Sequence, residues 1–108
     1  MMASMMASRF VITVGAAREI ESIVDYITNI LESPAESDSF VSEFREALRL
    51  ICAFPESRPL CPDPLLKQKG YRAFRVKNYI ALYVFADGIV YVDHVFHQRQ
   101  DYAALIME

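Results

Sequence analysis

The stretch YRAFRVKNYIALYVFADGIVYVDHVF, residues 71–96, decides the fold. Its side chains alternate or are continuously apolar in three runs that are typical of β-strands: residues 71–77, 79–85 and 89–96. Asn78 marks a tight turn between the first two runs, and Asp87 followed by Gly88 is a strong hairpin signal before the third. The middle run is apolar on both faces, so we expect it to lie inside the sheet.

A strand and a helix precede this stretch. Residues 9–14, RFVITV, alternate around β-branched side chains and predict a first strand, which Gly15 ends. From Ala16 onward the apolar side chains recur at helical spacing and form one stripe of a helix of about four turns. The members of this stripe are Ile20, Ile23, Val24, Ile27, Ile30 and Leu31.

The tetrapeptide SPAE begins a second helix. Ser33 caps it, Pro34 takes the first helical position, and Glu36 is placed to complete a capping box. The helix is predicted to run to about Ala53, before Pro55. Its apolar face is formed by Phe40, Phe44, Ala47, Leu48 and Ile51. Because almost nothing separates the two helices, we expect an antiparallel helical hairpin.

The order β-α-α-β-β-β predicts an α+β fold, in which the helical hairpin packs on one face of an antiparallel sheet. Residues 9–108 are predicted to form this single domain, and residues 1–8, MMASMMAS, a flexible leader. Residues 55–70 hold four prolines and form a long loop, which hints at function, with a short helical turn at Leu65 and Leu66. The sheet face away from the hairpin need not be covered, and there polar residues can meet a ligand.

Composition and motifs exclude several classes of protein. No apolar run approaches the roughly 20 residues of a membrane helix. The sequence contains no P-loop, no dinucleotide-binding glycine motif and no Ser-His-Asp arrangement. Cys52 and Cys61 lie nine residues apart, without C-x-x-C spacing, and are expected to be free thiols in a reducing cytoplasm. We therefore expect neither a metal nor another cofactor.

Charge is distributed unevenly along a chain whose net charge is −3. Between Glu19 and Glu46 there are eight acids and one base. Residues 64–86 contain no acid and five bases: Lys67, Lys69, Arg72, Arg75 and Lys77. This basic segment is able to host an anion although the whole chain is acidic, and a solvated charged loop and strand is the alternative interpretation.

The basic segment and the last strand together form a candidate site. Strict alternation places Arg75 and His97 on one exposed face, two strands apart, while Arg72 near its strand end can reach either side. Such a set suits RNA cleavage, because histidine transfers protons near neutral pH and arginine stabilises phosphate charge. His97 at a strand end has the alternative of a packing role. His94 shares the parity of Phe96 and is expected to pack at the edge of the core.

The chain resembles the RelE/ParE superfamily of type II toxin–antitoxin toxins over residues 10–106. The resemblance rests on AREIESIVDYI, FPESRPLCPDPLL, GYRAFRVKNYIALY and VFHQRQDY in this order and spacing. It implies a small cytoplasmic bacterial toxin of a plasmid stabilisation module, bound by a cognate antitoxin in a hetero-oligomer. RelE-like members cleave mRNA on the ribosome without a metal, whereas ParE-like members block DNA gyrase and need no nuclease chemistry.

The resemblance favours a metal-independent endoribonuclease, an mRNA interferase acting on the ribosome. The alternatives are a ParE-type gyrase inhibitor and a catalytically degraded toxin fold that only binds a partner. By motif position the resemblance assigns catalysis to Arg72, Arg75, His97 and Tyr102. Nucleic-acid binding is expected of Lys67, Lys69, Lys77 and Arg99. Two positions depart from the family pattern: Ile80 stands where many relatives have an arginine, and Gln98 where a glycine is usual.

Overall fold

The computed structural model describes residues 9–99, so the predicted leader and Tyr102 lie outside the described residues. The elements are β1 (Arg9–Ile12), α1 (Val14–Asp25), a π-helical turn (Tyr26–Ile30), α2 (Pro34–Ala53), α3 (Pro64–Gln68), β2 (Arg72–Val76), β3 (Tyr79–Ala86) and β4 (Ile89–His97). This order confirms the predicted α+β fold, with α3 as a short addition inside the predicted loop.

The four strands form one sheet in the order β1-β4-β3-β2. Neighbours among β2, β3 and β4 are antiparallel, and β3 lies inside the sheet as predicted. β1, however, pairs in parallel with residues 89–92 of β4. The sheet is therefore mixed. The strand patterns did not predict the parallel pairing of β1. The two helices carry the chain over the sheet before β2 begins, and β1 lies at the edge opposite β2.

Side-chain caps determine where the first two helices begin. The Thr13 hydroxyl accepts a hydrogen bond from the Ala16 N–H at 3.1 Å, so α1 begins at Val14 and includes Gly15 rather than following it. The Ser33 hydroxyl accepts a hydrogen bond from the Glu36 N–H at 3.4 Å. The predicted start of α2 at SPAE is thus confirmed.

The end of α1 widens into a π-helical turn. The Leu31 N–H donates to the carbonyl of Tyr26, five residues earlier, at 3.1 Å. Because a π turn contains more residues than an α turn, the apolar stripe loses its register after the buried Ile27. Ile30 is 66% exposed and Leu31 is 54% exposed. The prediction that these two residues continue the buried stripe is therefore wrong.

The main core lies between the helical hairpin and one face of the sheet. Helix α2 contributes the predicted side chains Phe40, Phe44, Leu48 and Ile51, and the strands contribute Phe74, Val76, Ala81, Tyr83, Val90, Val92 and Val95. The hydroxyl of the fully buried Tyr83 donates to the Pro55 carbonyl at 2.7 Å. This hydrogen bond attaches the chain after α2 to the middle of the sheet.

The opposite sheet face is covered in part by α3 and the chain around it. A smaller buried cluster joins Cys61, Leu66 and Tyr71 to Leu82 of β3 and Phe96 of β4. Asp63 begins α3, because its Oδ1 accepts hydrogen bonds from the N–H groups of Leu65 and Leu66 at 3.0 and 3.1 Å. The predicted short helical turn is confirmed. The length of the proline-rich loop thus has a structural reason: the loop covers part of the sheet face that, by our prediction, need not be covered.

Candidate functional site

A β-bulge at Asp93 reverses the side-chain alternation of β4. Tyr83 of β3 lies opposite Val92, but the preceding residue Leu82 lies opposite His94. Asp93 is therefore inserted without a counterpart on β3. Beyond the bulge, each side chain of β4 takes the sheet face opposite to the one that uninterrupted alternation assigns to it.

The bulge places Arg75 and His97 on opposite faces of the sheet. His97 lies opposite Tyr79, and the two rings pack edge to face with centroids 5.4 Å apart on the side of the helical hairpin. Arg75 alternates with the buried Phe74 and Val76, so it points away from the hairpin and is exposed. The prediction that Arg75 and His97 share one face is wrong, because it assumed regular alternation along the whole of β4.

His94 lies at the outer edge of β4 and is half-buried. Its ring stacks on Phe96 with centroids 5.4 Å apart, which agrees with the predicted packing role at the edge of the core. Its Nδ1 lies 3.7 Å from Oε2 of Glu19 on α1. The other carboxylate oxygen of Glu19 accepts a hydrogen bond from the Val95 N–H at 2.9 Å. Glu19 therefore binds the edge of β4 beyond the point where β1 stops pairing.

The bulge itself is held from two sides. The Tyr71 hydroxyl donates to Oδ2 of Asp93 at 2.5 Å, and the Thr13 hydroxyl donates to the Asp93 carbonyl at 3.3 Å. Burial, with the hydrogen bond to Asp93, raises the pKa of Tyr71 above its ordinary value. Sequence analysis missed this pair, since no local pattern joins Tyr71 to Asp93. The signal that the sequence offers is an acidic residue inside an otherwise apolar strand.

Arg72 is tied to the loop that precedes it. Its Nη1 donates to the Arg58 carbonyl, and its Nη2 lies 3.8 Å from Oε2 of Glu56. Only 19% of its side chain is exposed. A phosphate at this position has to compete with both contacts for the guanidinium group.

The four residues predicted to contact nucleic acid differ in exposure and in charged neighbours. Lys77 lies 3.1 Å from Glu43 and 3.4 Å from Glu36, both on α2. The hydrogen bond with Glu43 raises the pKa of Lys77, and the same contact lowers the pKa of Glu43. Lys77 is thus neutralised by the helical hairpin. By contrast, Lys67, Lys69 and Arg99 are exposed.

A groove of about 1030 Å³ runs between α1 and the outer edge of β4. Its walls include Ile23, Tyr26 and Leu31 on the helical side and Val95, Phe96 and His97 on the strand side.

Within residues 9–99, no group of three or more His, Cys, Asp or Glu side chains is arranged to hold a metal ion. No helix in the same range is long and apolar enough to cross a membrane.

The architecture is shared with a solved structure described as the chromosomal ParDE TA system from P. aeruginosa. The two structures superpose with a TM-score of 0.66 over 86% of this chain and 96% of that chain. At 16% sequence identity, this similarity establishes a common fold. No curated protein matches the sequence.

A family model described as the ParE toxin of the type II toxin-antitoxin system, parDE, matches residues 10–102. The matched range includes the helical hairpin, the loop with α3, the three antiparallel strands and the VFHQRQDY segment on which the sequence resemblance rests. The match therefore extends over most of the chain and agrees with the fold similarity. The chain belongs to the ParE toxin family of type II toxin–antitoxin systems.

Proposed function

We propose that this toxin acts in the cytoplasm by binding and inhibiting DNA gyrase, without nuclease chemistry. Family membership supports gyrase as the target, since ParE-like members block this enzyme. The observation that carries the proposal is the separation of Arg75 and His97 on opposite faces of the sheet.

Metal-independent RNA cleavage requires several groups around one phosphate. A base, an acid and a cation must reach the attacking hydroxyl, the leaving oxygen and the phosphate charge at the same time. Arg75 and His97 have the sheet between them, and Arg72 is held by the Arg58 carbonyl and Glu56. This arrangement favours a protein that acts by binding over one that acts by proton transfer.

We further propose that a cognate antitoxin binds the chain in a hetero-oligomer. Exposed cations at Lys67, Lys69, Arg75 and Arg99 support an acidic or amphipathic partner segment. Such a segment gains order when it binds a folded surface. If a small open reading frame lies beside the toxin gene, co-expression with its product, followed by size-exclusion chromatography, tests this pairing. Separate elution of the two chains at micromolar concentration counts against it.

The test of the target uses purified protein and plasmid DNA. We expect the chain to inhibit supercoiling by purified gyrase in a dose-dependent manner. In parallel, primer extension on cellular mRNA after induction should show no new 5′ ends. Growth arrest with undisturbed supercoiling would overturn the gyrase proposal.

Two matched variants separate the mechanisms further. His97→Ala and Arg75→Ala both remove groups that a nuclease would need, from opposite faces of the sheet. A ribosome-dependent nuclease would lose its mRNA cleavage in one or both variants. For a gyrase inhibitor, we expect neither variant to change the pattern of mRNA ends. The absence of growth arrest in the wild type would leave a degraded toxin that binds only a partner.

A further inference from the structure

We propose that the sheet face opposite the helical hairpin binds the phosphate backbone of duplex DNA through Lys67, Lys69 and Arg75. These three residues are called the basic face below. The DNA contact rests on the proposed gyrase inhibition for its setting, because gyrase is an enzyme that holds duplex DNA. The contact itself is measurable without gyrase.

Helix α3 holds two of the cations in a fixed position on the sheet. Its Leu66 is fully buried in the smaller cluster, together with Leu82 of β3. Gly70, with a φ of 85°, ends the helix, and its N–H donates to the Lys67 carbonyl at 3.0 Å. Lys67 and Lys69 are both exposed on this anchored helix.

Arg75 of β2 lies on the same side of the sheet as α3. It is paired with Ile80 of β3, and residues that lie directly opposite each other in a sheet share a face. Ile80 packs against the smaller buried cluster, which includes Leu66 of α3. The exposed side chain of Arg75 therefore extends from the face on which α3 rests.

No carboxylate neutralises the basic face. Within residues 9–99, the ion pairs involve other cations, among them Lys77 on the hairpin side, and none includes Lys67, Lys69 or Arg75. Two acids of this side have other partners. Asp63 accepts N–H groups at the start of α3, and Asp93 accepts the Tyr71 hydroxyl. A face with unpaired positive charge attracts a polyanion although the whole chain has a net charge of −3.

The aromatic residues beside the basic face favour a duplex over a single strand. Single-stranded nucleic acids are bound largely by stacking of their bases on exposed aromatic rings. The aromatic residues of the smaller cluster are Tyr71 and Phe96, and they are only 8% and 7% exposed. Contacts with the phosphates of a duplex need cations alone. The basic face therefore fits the backbone of duplex DNA.

Three phosphate contacts give weak binding that depends strongly on salt. Each contact contributes about −0.9 to the slope of log K against log salt concentration, so we expect a slope of about −2.7. DNA that gyrase already holds has a high local concentration beside a bound toxin, so a weak contact is sufficient there. Because the same cations support the proposed acidic antitoxin segment, bound antitoxin should displace the DNA.

Fluorescence anisotropy with a labelled 20-base-pair duplex tests the contact without gyrase. We expect the Kd of the wild type to rise about fortyfold between 25 and 100 mM NaCl. Arg75→Gln should reduce the slope to about −1.8. Arg45→Gln removes the same charge from an exposed position on α2 and should retain the wild-type Kd and slope. A flat salt dependence in the wild type, or equal losses in the two variants, would overturn the proposal.

A single-stranded RNA of the same length distinguishes the two kinds of nucleic acid. We expect the basic face to bind it more weakly than the duplex, because no exposed ring of the smaller cluster is available for stacking. Tighter binding of the RNA, lost in Arg75→Gln, would assign the basic face to RNA and contradict the proposal.

Gyrase supercoiling with a triple variant links the contact to inhibition. The variant combines Lys67→Gln, Lys69→Gln and Arg75→Gln, with circular dichroism as the check of folding. We expect it to need at least about fivefold more protein for half inhibition, whereas Arg45→Gln inhibits like the wild type. Full inhibition by the triple variant would refute the DNA contact and leave gyrase inhibition standing. Duplex binding by a wild type that leaves supercoiling undisturbed would refute gyrase inhibition and retain the contact.

Discussion

The Tyr71 hydroxyl and the Asp93 carboxylate lie 2.5 Å apart across the sheet. Tyr71 immediately precedes β2, and Asp93 is the inserted residue of β4, so this hydrogen bond spans β3 between them. It holds the inserted residue at the place where β4 reverses its alternation. We expect the position of His97 on the hairpin face to depend on this contact, because the bulge precedes His97 on the same strand.

We expect Tyr71→Phe to destabilise the protein. The variant leaves a partly buried carboxylate without its donor, which costs about 1.5–3 kcal/mol for a hydrogen bond to a charged group. Urea unfolding followed by circular dichroism measures the change. The matched control is Tyr91→Phe on β4, which should stay within about 0.5 kcal/mol of the wild type. Equal stability of the two variants would show that the bulge does not depend on Tyr71.

Stability should fall at alkaline pH, and Tyr83 should account for part of the loss. Burial raises the pKa of Tyr83 from 10.0 to about 12. The folded state therefore holds the hydroxyl proton of Tyr83 more tightly than the unfolded state does. The stabilisation that Tyr83 gives the folded state is complete below pH 10 and is lost as the pH rises through about 12. The raised pKa of the Tyr71 hydroxyl acts in the same direction.

The measurement is the urea midpoint at several pH values between 8 and 11. Tyr83→Phe should have a shallower decline above pH 10 than the wild type, although it is less stable at neutral pH because the Pro55 carbonyl loses its donor. Tyr26→Phe, at an exposed position, should retain the decline of the wild type. Parallel curves for Tyr83→Phe and the wild type would contradict this assignment.

Arg72→Ala and Arg75→Ala should differ in stability. Arg72 binds the Arg58 carbonyl and faces Glu56, so its removal should cost about 1–2 kcal/mol and increase proteolysis of the loop before α3. Arg75 is exposed, and its removal should leave the unfolding midpoint unchanged. A loss of toxicity in Arg72→Ala must therefore be compared with its folding before it is assigned to a phosphate contact. Identical midpoints for the two variants would argue against the structural role of Arg72.

Glu19 should protect the edge of β4 from solvent. In Glu19→Ala the Val95 amide loses its acceptor, and we expect its hydrogen exchange to accelerate by about tenfold. Glu19→Gln retains an acceptor oxygen and should exchange more slowly than the alanine variant. Glu21→Ala, at an exposed position on the same helix, serves as the control. Unchanged exchange at Val95 in Glu19→Ala would show that another group covers this edge.

Features encoded by neighbouring residues were predictable from the sequence. Ser33 and Pro34 determined the start of α2, and the hairpin after β3 follows from Asp87 and Gly88, which both have positive φ angles. These signals are local, because a cap or a tight turn depends on side chains within a few residues. The same holds for the apolar face of α2.

The features that escaped prediction depend on residues far apart in the chain. The bulge is stabilised by Tyr71 and Thr13, neither of which is near Asp93 in sequence. Lys77 belonged to an acid-free segment of the sequence, but folding brings it against Glu36 and Glu43 of α2. Strand parity and charge runs describe the chain in one dimension, and both fail where a distant partner changes the register or the charge balance.

The parallel pairing of β1 with β4 has a consequence for the order of folding during synthesis. Thr13, directly after β1, hydrogen bonds to Asp93, 80 residues later. The nascent chain can form its helical hairpin early, but β1 has no strand partner until β4 has been made. Because the two strands lie so far apart in the sequence, closure of the sheet is a late step. The toxin therefore acquires its complete sheet only when nearly the whole chain has left the ribosome.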